Sequence, residues 1–450
     1  MATETKTSHL TGQDYAASLR DGRIVVLDGK SVADVTATPL LAVSVKHVAT
    51  SYDAIRRGER PALTAMARTQ SELQEQMDAF HAIDSLSVTT AGVLRAGRLA
   101  AAKGDAASAG EQRLAAFTGL LSQNDARVAV GRADAGASKL RVVSRTEDGV
   151  IVRGAKAHVV GAPVAHEILC IPDRPTAKSD PATVIAFAVP VSAPGVKLVS
   201  LTAAPRSEDT RHYPISRERS MADAVVLFDD VFVPNDRIFV DGAVKEAEEL
   251  ASVLGVWERA TAVYRRAREA ELVLGLAQTI AEMNGVPDVS HIRHKLSDLA
   301  VYAAISRATW EAALAHAKTG IDGSLVPDDV YIYSSKVYTD DLHSEMLSYL
   351  HDVSGALLLT CPTVADYENE ATHVYIEKYL RTMVGVTGED RMKVFHLIRD
   401  LSADTYWGWS KIDHQSIAGG VDAQREAVLN NFDLSRARKE VIIAAGLRGS

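Results

Sequence analysis

The chain has 450 residues, 47% of them hydrophobic and 24% charged, with a formal net charge of −9. That length favours two or three domains over a single core, and the composition is ordinary for a globular enzyme. The acidic balance excludes a general nucleic-acid binder, which needs a basic face. No apolar run reaches the roughly eighteen residues of a membrane span, and the first residues, Met1 to Thr7, lack the apolar centre of a signal peptide. Cys170 and Cys361 are the only cysteines, too few to hold an iron–sulfur cluster or a disulfide scaffold. A cytoplasmic protein with reduced thiols is expected.

The N-terminal part, residues 1–125, reads as mainly helical. A short helix over 13–19 leads to a strand over 24–27, turned by Asp28-Gly29. Residues 71–102 carry a helical pattern, with Leu73, Met77 and Phe80 on recurring turns. Residues 100–110 are rich in small side chains and read as a connection. A central β domain is expected over 126–245. Leu140 to Arg153 forms a hairpin with Asp148-Gly149 at its turn, and strands follow over 182–191 and 224–227. The segment Asp223-Ala-Val-Val-Leu-Phe-Asp-Asp-Val-Phe-Val-Pro234 reads as an alternating strand stopped by its paired acids and proline.

From 246 to 450 the pattern is that of a helical bundle. Asn284-Gly285 with Pro287 stops one helix. In the next, Ile292, Leu296, Leu299, Ala303, Ser306 and Trp310 form an apolar seam. Further helices are expected at about 329–358, 388–417 and 433–446. The run Ser354-Gly-Ala-Leu-Leu-Leu-Thr-Cys-Pro362 falls in this helical region. Pattern alone supports a multidomain α+β protein.

Several ordered blocks then carry a resemblance: Thr11 to Arg23, Asp28 to Thr36, Gly149 to Lys156, Ala186 to Pro190, Gly275-Leu-Ala-Gln, Asn284-Gly-Val and Arg391 to Asp400. With the two segments above, they resemble the flavoprotein family of 4-hydroxyphenylacetate 3-monooxygenases and 4-hydroxybutyryl-CoA dehydratases. The resemblance implies an acyl-CoA-dehydrogenase-like fold, a homotetramer, and a flavin between β domain and bundle. FAD in its reduced form is the expected cofactor, with FMN as the alternative. A separate flavin reductase is the expected partner, and a flavin hydroperoxide is the oxidant the family implies. A reductase partner also explains why the chain has no Gly-x-Gly-x-x-Gly loop for a nicotinamide cofactor.

The same resemblance maps the family's flavin loop onto Gly136, Ala137, Ser138 and Lys139. It puts Val160 where relatives carry a flavin-touching threonine, and Gly408, Trp409, Ser410 and Lys411 beside the cofactor. Ser410 replaces an arginine, with loss of a fixed charge. Trp407 and Trp409 have bundle core as their other reading. At the substrate, Val93 and Gly97 stand where the family has arginine and tyrosine, and Val130 stands where it has a catalytic histidine. Arg95, Arg98 and Arg127 read either as a replacement anion site or as solvated surface residues. Asp173 and Arg174 lie on a loop near substrate in relatives.

His158 is the candidate for proton transfer, with a structural histidine as the alternative. His291 and His294 share a helix face without a cysteine nearby, so no metal site is expected. The chain therefore reads as the oxygenase half of a two-component flavin monooxygenase. Its substrate is a small molecule other than a simple 4-hydroxyphenyl acid, either aromatic or nitrogen-containing. An oxygen-independent flavin dehydrogenase or dehydratase without a cluster is the second reading, and a family member that has lost catalysis and serves as a binding subunit is the third.

Overall fold

The computed structural model describes residues 10–136, 139–383, 385–416 and 420–447. The chain opens with α1 (Gly12–Ser18), a hairpin of β1 (Val25–Leu27) and β2 (Lys30–Val32), and then α2 (Pro39–Arg56), α3 (Gln70–Ala82), α4 (Ser85–Ala102) and α5 (Ala109–Gln123). Capping boxes start α1, α3 and α5, each with a threonine or serine whose hydroxyl accepts from the third backbone N–H while an acid answers back. The stretch read as one helical region over 71–102 is two helices, broken at Ile83, whose backbone is extended. Helix α5 begins just inside the small-residue stretch expected to be a connection.

The β region contains β3 (Val128–Gly131), β4 (Arg141–Arg145), β5 (Gly149–Lys156), β6 (Glu167–Cys170), β7 (Ile185–Pro190), β8 (Val196–Thr202), β9 (Ala222–Pro234) and β10 (Ile238–Asp241), with a short α6 (Ser216–Arg219) before β9. They build two sheets, ordered β2-β1-β8-β9-β5-β4 and β10-β7-β6-β3. The N-terminal hairpin thus belongs to the first sheet, because β1 pairs in parallel with β8. Strand β9 is longer than expected. It runs through Asp229-Asp230 to Pro234, with Asp230 at φ +55° and the register shifting opposite it. A bulge lets both acids face solvent without ending the strand.

The two sheets pack face to face. Ile168, Cys170, Phe187 and Val189 of the second meet Val152, Leu198, Val226 and Phe228 of the first, and Phe187 and Phe228 stack edge to face at 5.7 Å, a geometry worth about 1 kcal/mol beyond their burial. Alternate residues of the second sheet, Leu169, Ala186 and Ala188, turn the other way into a helical core.

Helix α7 (Val244–Met283) is 40 residues long, about 60 Å at the helical rise. Its first half belongs to that helical core, and its second half belongs to the bundle core with α8 (Ser290–Ala315), α9 (Asp329–Ser354) and α13 (Gly388–Ser402). It ends at Met283 before Asn284-Gly285, and Ile292, Leu299, Tyr302, Ala303, Ser306 and Trp310 are the buried seam of α8. Between α8 and α9 a small hairpin pairs Lys318–Thr319 with Leu325–Val326. After α9, Gly355 takes φ +72° and the run Leu357–Thr360 is only a short α10.

The rest comprises α11 (Val364–Glu368), α12 (Glu370–Leu380), α14 (Thr405–Ser416), α15 (Val421–Asn431) and α16 (Leu434–Ala445). The helix expected over 388–417 is thus two, α13 and α14, divided at Ala403. Among the described residues no helix is long and apolar enough to cross a membrane.

Candidate functional site at the junction of β domain and bundle

Strand β5 ends at Lys156, and two residues later His158 adopts φ +53°. A non-glycine residue in this left-handed region costs about 1–3 kcal/mol and marks a place where the surroundings dictate the backbone. The dictating groups are two carboxylates. His158 Nδ1 lies 2.5 Å from Asp223 Oδ2 on β9, and Nε2 lies 3.5 Å from Asp413 Oδ1 on α14. Their hydrogen bonds, Asp223 first and Asp413 second, raise the imidazole to about 10 against the opposing effect of burial. At neutral pH His158 is an imidazolium that already holds its proton. The geometry therefore makes it a charged clamp between β9 and α14 rather than a base.

Helix α14 crosses the same junction with its indoles. Trp409 and Val160 both pack against the inter-sheet core, whereas Trp407, two residues away on the helix, turns to the bundle core and stacks near His343 at 5.4 Å. Only Trp407 is bundle core. Trp409 Nε1 is shielded from solvent and has no hydrogen-bond partner among the described residues. A buried donor without an acceptor costs about 1–3 kcal/mol. A flavin, rich in carbonyl and ring-nitrogen acceptors, is the kind of group that removes this cost, so the donor set fits the cofactor.

Gly408 is exposed with open space about it, Ser410 is half-buried, and Lys411 Nζ donates to Ser344 Oγ at 2.7 Å while lying 5.6 Å from the Trp407 ring. In the mapped flavin loop, Gly136 is exposed at φ +96°, and Ala137 and Ser138 lie outside the described residues. Lys139 Nζ reaches the Asp173 carbonyl at 3.5 Å, and Asp173 Oδ2 accepts from the Asp134 amide at 3.3 Å. The structure thus brings Asp173 against Asp134 and Lys139, beside the mapped loop, while Arg174 points out, its side chain 86% exposed.

Behind α14 lies a buried ionic layer that no sequence pattern announced. Lys336 Nζ donates to Asp340 Oδ2 at 2.9 Å and to the His414 carbonyl at 2.6 Å. His414 Nε2 is 3.3 Å from Asp340 Oδ1, and burial pulls its imidazole down to about 3. Neutral His414 thus follows directly after Asp413, the partner of a charged His158.

The mapped substrate residues lie on the other side of β3. Val93 is fully buried, and Val130 packs against the same helical core. Gly97 is a packing residue. A Cβ there would sit 1.8 Å from Thr118 Oγ1 on α5. We expect Gly97→Ala to destabilise the protein by about 1–3 kcal/mol through overpacking, measured by chemical denaturation, and a companion Thr118→Gly, which also removes the Cβ that would lie 2.6 Å away, to recover part of it. An unchanged stability would return Gly97 to a lining role.

The arginines are neither an open anion site nor surface residues. Arg127 is 1% exposed, lies 3.7 Å above the Tyr52 ring, donates to Ser87 Oγ and pairs with Asp125 at 3.0 Å. Arg95 donates to Ser324 Oγ and lies 5.5 Å from the Trp257 ring. Arg98 Nε is 3.9 Å from Asp322 Oδ2. The cavity beside Arg95 and Arg98 measures about 10 Å³, room for a single water. These three hold the N-terminal helices to their neighbours.

A different charged group stands beside β3. Arg132, just past its end, pairs with Glu258 of α7 at 2.8 Å. The next residue, Arg259, is 8% exposed and lies 4.5 Å from the Tyr333 ring of α9. The clue in the sequence is a pair of opposite charges inside the apolar run Val253-Leu-Gly-Val-Trp-Glu-Arg-Ala-Thr-Ala-Val263. His291 and His294 are both exposed on α8, and Cys170 and Cys361 are buried elsewhere.

Comparison with known proteins places this architecture. Family models described as the N terminal and C terminal of 4-hydroxyphenylacetate 3-hydroxylase match residues 115–240 and 247–445. The chain is 28% identical over 263 residues to the 4-hydroxyphenylacetate 3-monooxygenase oxygenase component of Thermus thermophilus, covering 58% of this chain and 54% of that one. It is 25% identical over 325 residues to the 4-hydroxybutyryl-CoA dehydratase/vinylacetyl-CoA-Delta-isomerase of Clostridium aminobutyricum, covering 69% and 66%. The matches thus span between about half and two-thirds of those relatives' lengths. A crystal structure of the oxygenase component of 4-hydroxyphenylacetate 3-monooxygenase complexed with FAD superposes with a TM-score of 0.86 at 22% identity, covering 98% of both chains. The fold is therefore the acyl-CoA-dehydrogenase-like α+β arrangement, and with the two family models together matched between α5 and α16, the chain belongs to the 4-hydroxyphenylacetate 3-hydroxylase family.

Proposed function

We propose that this protein is a reduced-flavin-dependent monooxygenase. It is the oxygenase component supplied by a separate reductase, and it acts on a small aromatic or nitrogen-containing molecule. The observation that carries this reading is the solvent-shielded, acceptor-less Trp409 Nε1 at the β domain–bundle junction, in a fold whose solved relatives are described in complex with FAD. Trp409, Val160 and the backbone around Gly136 and Lys139 would hold the flavin. When bound, the reduced cofactor supplies the electrons that activate oxygen.

The chain's own contribution is positional. The charged His158 clamp ties α14 to β9, and the inter-sheet core behind Val160 keeps water from one side of the junction. Val93 and Val130 offer hydrocarbon where relatives place polar groups, so the substrate gains no proton acceptor from either position. Replacing Trp409 by phenylalanine keeps an aromatic ring, with some loss of volume, and removes the donor. The expected result is an FAD affinity about tenfold lower, read by fluorescence titration, with an unchanged melting temperature. Unaltered affinity would take Trp409 out of the cofactor site.

The homotetramer is supported by apolar faces that none of the described residues covers: Val374, Tyr375 and Tyr379 on α12, and Val441 and Ile443 on α16, each at least 59% exposed. Sedimentation velocity showing a monomer would refute it. A cytoplasmic location is supported by two free, buried cysteines.

A further inference from the structure

We propose that Arg259 binds the carboxylate of the substrate, which makes that substrate an organic acid. The inference rests on the monooxygenase reading only in taking the ligand to be the molecule oxidised. Arg259 is more than nine-tenths buried, yet it makes no hydrogen bond or ion pair with any described residue, and its Nε is shielded from solvent. Glu258, beside it in sequence, is engaged by Arg132 at 2.8 Å. Asp329 acts on it electrostatically but forms no ion pair with it, and its own Oδ1 is shielded without a hydrogen-bond donor.

A guanidinium more than nine-tenths buried, with its Nε donor shielded and unanswered, is costly to bury. The molecule nevertheless holds this one in place. The Tyr333 ring covers its face at 4.5 Å. Gly255, one turn earlier in the middle of α7, leaves room for it, since a Cβ there would lie 2.5 Å from Arg259 Nη1. Glycine inside a helix costs about 1 kcal/mol relative to alanine, and the space for the guanidinium accounts for it. A planar fork fixed by a ring and a missing side chain is suited to a planar two-oxygen anion.

The location agrees. Arg132 and Glu258 stand where β3 runs on toward the mapped flavin loop, and Val130 of the same strand faces the helical core shared with Trp257. The oxyanion has two conceivable sources, a substrate carboxylate and a flavin phosphate, and the experiment separates them.

The test is calorimetric titration of the full-length, FAD-loaded protein with two acid–amide pairs, benzoate with benzamide and phenylacetate with phenylacetamide. At least one acid is expected to bind about tenfold or more tightly than its neutral amide. In Arg259→Met, acid affinity falls by about ten- to a hundredfold, as for loss of charged hydrogen bonds, while amide affinity holds. The ligand-free variant melts no lower than the parent, because an unpaired buried charge has been removed. Gly255→Ala, which crowds the guanidinium while keeping its charge, weakens acid binding in the same direction.

The proposal is overturned if neither acid outbinds its amide, failure of all four to bind included, or if Arg259→Met leaves acid affinity unchanged. A lower melting temperature in that variant would overturn it in favour of a structural pair with Asp329. A selective loss of FAD affinity would overturn it in favour of a flavin phosphate. Equilibrium binding needs no oxygen, so a protein that holds these acids through Arg259 but, loaded with reduced FAD, yields no oxygen-derived flavin species would sink the monooxygenase reading and leave the carboxylate site standing.

Discussion

Asp400→Ala is expected to cost about 3–5 kcal/mol of stability. Asp400, on α13 and 1% exposed, accepts from the backbone amides of Ile215 at 2.7 Å and Ser216 at 2.9 Å and from Ser216 Oγ at 2.5 Å. One carboxylate thereby fastens the start of α6, just ahead of β9, to the helical bundle. Truncation leaves two buried amides and a hydroxyl without acceptors, each costing about 1–3 kcal/mol. Asp400→Asn, which keeps an oxygen in place, should lose less than half as much. Urea denaturation followed by tryptophan fluorescence measures both, and limited proteolysis should cut first between residues 205 and 221. A loss below about 1 kcal/mol would mean that water replaces the carboxylate there.

The second large effect concerns His158. Asparagine tolerates the left-handed backbone that His158 adopts, so His158→Asn removes the charge with little backbone penalty. Asp223 and Asp413 then face each other across the junction without the imidazolium between them. FAD affinity should drop by about tenfold or more, because α14 carries Trp409.

The pH dependence has a definite sign. His158 is raised from its ordinary 6.5 to about 10 by the two carboxylates. The folded state therefore binds this proton more tightly than the unfolded state, and the stabilisation is complete below about pH 6.5. It declines as pH rises and is gone once pH passes through 10. The stability gap between parent and His158→Asn should thus be widest near pH 6 and close by pH 10. A gap that widened with pH would show a neutral imidazole in the folded state and end the clamp account.

What the sequence disclosed, and what it hid, follows from how local each signal is. The β4–β5 hairpin and the α8 seam were legible because a turn dipeptide and a three-four repeat are local. Helix α5 was not, because Ala109-Gly110 at its start reads as a linker, and with it the packing of Gly97 on Thr118 was out of sight. Paired acids in β9 looked like a stop, since a bulge is decided by the partner strand. Arg127 and Arg95 looked free because Tyr52 and Ser324, which hold them, are distant in the chain.

The proposed cofactor side rests chiefly on resemblance, which put Trp409 beside the flavin; His158 was singled out as a candidate for proton transfer. Resemblance did not show that His158 is charged, because Asp223 and Asp413 come from separate elements. Arg259 was passed over, since one arginine in an apolar helix looks like any partly buried cation until its missing partners can be seen.

The oxygenase reading is tested most directly by loading the purified protein anaerobically with reduced FAD and mixing it with oxygenated buffer in a stopped-flow spectrometer. The account predicts an absorbing species distinct from both reduced and oxidised flavin, persisting well beyond the lifetime of free reduced flavin in the same buffer. Tight flavin binding followed by immediate appearance of the oxidised spectrum would contradict it.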